Sequence, residues 1–183
     1  MSPLCTLTVS LFSARAAHHV ALIGVVAPLL ALSFPEGGHT RRHVPLALLV
    51  TLHAGILWLW HAPAVYDIAI RGALPYWVMQ LSLLGSAFVM WRRILAPGME
   101  TGPAILALLA TVIQMGMLGA LLTFARAPLY EAHHATTFAF GLSPRADQQL
   151  AGLIMWVPAA LPYMLAAMVM LFSRFERWTQ VRR

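Results

Sequence analysis

The sequence predicts an all-α protein, a polytopic transmembrane helical bundle of about five spans formed as one domain over residues 1–183. Three observations predict it. Of its 183 residues 60% are apolar and only 10% charged, the mean hydropathy is +0.76, and the apolar residues fall in runs near the roughly 20 residues that a helix needs to cross a bilayer. A soluble domain of this length has no use for so little charge.

The runs cover residues 16–34, 44–60, 74–91, 103–125 and 150–172. Between the first two, PEGGHTRRH (35–43) reads as a tight turn, and APGMETGP (96–103) reads as another between the third and fourth. Pro103 suits the first turn of the fourth helix. After the second run, APAVYDIAIR (62–71) predicts a short interfacial helix starting at Pro63, with Asp67 and Arg71 at i,i+4. The longest connection, 125–147, mixes aromatics, histidines and an acid, as an interfacial re-entrant or cap does. Ser143 followed by Pro144 reads as an N-cap and first helical residue of the last helix. Pro158 and Pro162 should kink that helix, and Gly116, Gly119 and Ala120 mark close helix packing.

All twelve basic residues are arginine and the formal net charge is +6. The arginines sit at the ends of apolar runs, where headgroups rather than nucleic acid are the partner. Arg41, Arg42, Arg92, Arg93, Arg174, Arg177, Arg182 and Arg183 share one side, and Arg15, Arg71, Arg126 and Arg145 the other. The excess of positive charge on the first side predicts a cytoplasmic C-terminus and an N-terminus outside. The small residues of SARA (13–16) hint at a signal peptide, but no basic residue precedes the apolar part, so the segment is expected to be retained. The single cysteine, Cys5, excludes an internal disulfide, a Cys-x-x-Cys redox pair and a cysteine-built zinc site.

That sidedness sorts the histidines. His18, His19, His61, His133 and His134 fall outside, with Asp67, Asp147, Gln148 and Gln149; His39 and His43 fall inside. His53 lies eight residues before His61, hence about 12 Å deeper and rotated by about 80°. An ionisable group at that depth faces a cavity or a partner. Imidazoles gathered at one surface can ligate copper, zinc or haem iron, and spacing does not choose among them. His18 and His19 point about 100° apart on a helix, so His19 is expected inward and His18 at the surface. His133 and His134 read as polar loop residues. Asp147 suits the positive end of a helix, or anchors an outer histidine. Met115 and Met117 diverge on a helix and cannot serve one site, and Met155 near Asp147 reads equally as packing or as a soft donor. His-Glu-x-x-His, phosphate-binding loops and nucleophile elbows are absent from the sequence, which gives hydrolysis and phosphoryl transfer no support.

MLGALLTFARAPLY (117–130) and GLSPRADQQLAGLIMW (141–156), supported by HHVALIGVVAPLLAL (18–32) and HAGILWLWHAPAVYD (53–67), resemble the CtaG-type family of integral membrane cytochrome c oxidase assembly factors, in a short five-span form. The Asp-Gln-Gln block is the specific part. The resemblance implies a protein of the bacterial inner (plasma) membrane that matures a haem-copper oxidase by affecting copper supply, with oxidase subunits or other assembly factors as partners. Its matched positions are His19, His53, His61, Asp147 and Gln148. Where relatives often carry histidine one turn before His19 the chain has Arg15; Met79 and Gln80 replace a Glu-His pair, and Gln114 another histidine. These departures thin the ligand set and leave room for a member that assists assembly without holding an ion. The expected metal ligands are therefore His19, His53, His61 and Asp147, supported by His18, Gln148 and Asp67, with copper as the ion and no catalysis. A haem-binding membrane cytochrome and a small copper or solute transporter are the alternatives.

Overall fold

A computed structural model describes residues 3–35 and 44–181, which are helical throughout apart from short connections. The turn at 35–43, with His39, His43, Arg41 and Arg42, falls outside the described residues except for its first position, as do Arg182 and Arg183.

A short helix, α1 (Pro3–Ser10), leads into α2 (Phe12–Ala21), which continues through a π-helical turn, Leu22–Val26, into α3 (Ala27–Ser33). Then come α4 (Leu46–His61), α5 (Pro63–Arg71), α6 (Ala73–Ile94), α7 (Thr101–Phe124), α8 (Pro144–Trp156) and α9 (Ala160–Val181). Four helical stretches are long and apolar enough to cross a membrane: Phe12–Ser33, Ala73–Ile94, Thr101–Phe124 and Pro144–Gln180. α4 and α5 reach that length and apolarity only together, bent by 75° at the break, which gives four to five spans. The bend follows from Pro63, which cannot donate into the preceding helix and keeps Ala62 extended. Pro63 starts α5 as expected.

Helices dominate because lipid offers backbone groups no alternative partner. Each helix buries a narrow face and leaves the rest apolar and exposed, as Leu29, Leu106, Ile113, Leu161 and Val169 illustrate. The last span breaks at 157–159, where Pro158 lacks the N–H that would continue α8. The π-helical turn was not expected. It releases the Ile23 carbonyl, and the indole of buried Trp91 on α6 donates to that oxygen at 3.0 Å. The turn before α7 holds Gly98 at φ 81°, a conformation suited to glycine.

α8 packs most closely on α7. A Cβ on Gly119 would lie 2.6 Å from the Gly152 carbonyl oxygen, so backbone meets backbone there. α2 lies against α8, α4 against α6 and α7, and α3 and α5 against α6. The start of α2, the end of α4, the start of α6, the end of α7 and the start of α8 consequently share one end of the bundle.

Candidate functional site at one end of the bundle

Helix α8 starts with the cap expected from sequence: the Ser143 hydroxyl accepts the Ala146 N–H at 3.2 Å, with Pro144 as first helical residue. This orients Asp147 and Gln148 inward, where both are buried. Asp147 accepts the N–H of Phe12 at 2.7 Å, the N–H of Ser13 at 3.1 Å and the Ser13 hydroxyl. One carboxylate thus serves the orphan donors that open α2 while sitting in the first turn of α8, near two positive helix ends at once. Gln148 bridges differently, accepting the Leu129 N–H at 2.6 Å and donating to the Leu122 carbonyl at 3.1 Å; Gln149 donates to Thr123 at 3.2 Å. The Asp-Gln-Gln block therefore ties the end of α7 and the start of α2 to α8. Of the two expectations for Asp147, its hydrogen bonds fit the helix-end role and not the imidazole anchor.

Fixing the start of α2 brings His19 to His61 of α4. Their ring centroids lie 6.0 Å apart at 81°, and both rings are buried. The His61 Nδ1–H donates to the Leu57 carbonyl at 2.7 Å, leaving Nε2 as the nitrogen with a free lone pair. The His19 Nε2 is enclosed with no partner at hydrogen-bond geometry, and the Gln80 side chain lies close enough to interact with the ring. His18 is exposed, as its angular separation from His19 predicts, and Gln80 Nε2 reaches its Nε2 at 2.9 Å and the Tyr76 hydroxyl at 3.1 Å.

His53 stands apart. Its Nδ1–H donates to Ser86 Oγ at 2.9 Å, which in turn donates to the Leu83 carbonyl, and its Nε2 is enclosed and unpartnered. Among the described residues no three His, Cys, Asp or Glu side chains are grouped closely enough to hold a metal ion together. The structure thus unites His19 with His61 and gives His53 and Asp147 other partners. Asp67 has one carboxylate oxygen enclosed without a partner, its i,i+4 spacing to Arg71 notwithstanding. Gln114 accepts from Trp58 Nε1 at 3.1 Å between α4 and α7. Met115 and Met155 are buried in the core, while Met117 is exposed.

Two groups carry more of this end than their sequence positions indicate. His133 is buried in the 125–147 connection; Tyr66 donates to its Nε2 at 2.7 Å, and its Nδ1–H donates to the Ser10 carbonyl at 3.3 Å. Burial pushes its pKa below the usual 6.5, opposed mainly by the bond to Ser10. Phe12 is the other. It stacks on Tyr130 at 4.0 Å and meets Tyr66 edge-on at 5.3 Å, while the Tyr130 hydroxyl donates to the His61 carbonyl at 2.7 Å. Burial raises the Tyr130 pKa, so this hydroxyl remains a donor. The mix of aromatics, histidines and an acid in this connection is the sequence feature that pointed to a cap.

A model of the cytochrome c oxidase caa3 assembly factor family matches residues 1–177. The chain belongs to that family. No curated protein and no solved structure matches it. The His19–His61 pair offers two imidazoles, fewer than the four ligands a structural zinc ion takes.

Proposed function

We propose that this assembly factor holds a copper(I) ion between His19 and His61 and passes it to the oxidase on the side of the membrane away from the cytoplasm. The observation that carries the reading is the meeting of these two rings from separate spans, with the His61 Nε2 left free by the bond to Leu57. His53, deeper and bonded to Ser86, is outside the pair.

The reading makes the protein a non-catalytic, multi-pass helper in a bacterial plasma membrane, with oxidase subunits or other assembly factors as partners. The arginine distribution supports an N-terminus outside and a C-terminus in the cytoplasm. Titrating copper(I) into the purified protein under reducing conditions tests the pair. His19→Ala and His61→Ala each lose the site and His53→Ala keeps it; equal binding by all three variants and the wild type rejects the assignment. Normal copper content in the oxidase of cells carrying the His19→Ala, His61→Ala double variant rejects the role in copper supply.

A further inference from the structure

Arg15 stands one turn before His19, and its side chain is only 4% exposed. Its guanidinium carbon lies 5.7 Å from the ring centre of Tyr66 and 5.6 Å from that of Tyr76. Aromatic rings attract a cation through their π-faces, but they accept none of its in-plane hydrogen bonds. Nε is enclosed and unpartnered, and among the described residues no carboxylate is seen in ion-pair contact with this guanidinium. Both tyrosine hydroxyls are engaged elsewhere, Tyr66 with His133 and Tyr76 with Gln80.

Asp67 and Asp147 share its surroundings near Tyr66 without bonding it; a buried guanidinium with no oxygen on its edge is costly, and that planar edge is shaped for two coplanar oxygens. Arg15 is the fourth residue of a span that starts at Phe12, which sets it about 4.5 Å from the start of that helix, near headgroup depth. We propose that Arg15, framed by Tyr66 and Tyr76, is a binding site for an oxyanion, a carboxylate or phosphate group that docks on the guanidinium edge. The proposal does not depend on copper at His19 and His61. It gives Arg15 a role that a histidine at this position could fill only when protonated.

The test observes the Arg15 Nε–H directly, by NMR of the full-length protein with ¹⁵N-labelled arginine; the Arg15→Lys variant identifies the resonance by its loss. In zwitterionic micelles, acetate or inorganic phosphate should move the proton signal downfield and saturate, which supports a soluble oxyanion. A signal already downfield in nanodiscs containing phosphatidylglycerol, but not in phosphatidylcholine alone, supports a lipid phosphate instead. A resonance indifferent to acetate, phosphate and phosphatidylglycerol overturns the site. So does one that is downfield in every medium and returns upfield in Asp67→Asn, because Asp67 is then the counter-ion.

Discussion

Asp147 Oδ2 accepts the Phe12 N–H at 2.7 Å, joining the first turns of two helices whose residues are 135 positions apart. With Ser13 supplying two further donors, the carboxylate holds α2 at the rotation that turns His19 toward His61. Charge-assisted bonds to a buried carboxylate are the strong kind, and removing one partner strands the rest. Asp147→Ala should lower stability by about 2 to 4 kcal/mol, and Asp147→Asn, which keeps an acceptor, by less. Unfolding in mixed micelles measures both; an alanine variant as stable as wild type refutes the staple.

The contact between α7 and α8 is the next most sensitive place. A Cβ on Gly152 would clash with the Gly119 carbonyl and the Thr123 backbone nitrogen, neither of which can retreat without moving a helix. Gly152→Ala should therefore cost about 1 to 3 kcal/mol through overpacking, whereas alanine at Gly55, where nothing lies within 4 Å, should be neutral or slightly stabilising. The two variants compared by thermal unfolding in one detergent decide it, and equal melting points count against the close packing.

What could be read from the sequence was local in origin. The spans follow from apolar length, the α8 cap from Ser143 and Pro144, the break in the last span from Pro158, and the close approach at Gly119 from a small residue at a helix interface. The 75° bend after His61 was implicit in Pro63. What escaped was the partner of each polar group, because such partners lie far away in sequence. Asp147 was a good fit for its own helix, yet its hydrogen bonds go to Phe12 and Ser13. His133 looked like loop and is buried because Tyr66 and Ser10 converge on it. The π-helical turn has one mark in its apolar run, Pro28 two residues after it, which has no N–H to give the Ile23 carbonyl.

That turn makes Trp91 a structural donor. Its indole N–H satisfies the Ile23 carbonyl inside the bundle, where no solvent replaces it. Trp91→Phe should cost about 1 to 3 kcal/mol and raise hydrogen exchange at Leu22–Val26 above that of the flanking α2 and α3. Unchanged exchange there means that the released carbonyl is satisfied without the indole.

The His133 clamp requires a neutral imidazole, with Nδ1–H donating to Ser10 and Nε2 accepting from Tyr66. Its folded pKa lies below the ordinary 6.5 because burial penalises the charged form. The unfolded chain therefore binds more protons than the folded one as pH drops below 6.5, and stability falls with it. The contribution of His133 is complete above about pH 6.5 and is lost progressively as pH descends toward the lowered folded value. Below that value the loss levels off. Replacing His133 by Gln, whose amide offers N–H donors and a carbonyl acceptor but gains no proton, should flatten the acid limb of the stability curve relative to wild type. Unfolding midpoints between about pH 5 and 8 provide the comparison, and parallel curves for the two proteins show that His133 does not titrate with folding.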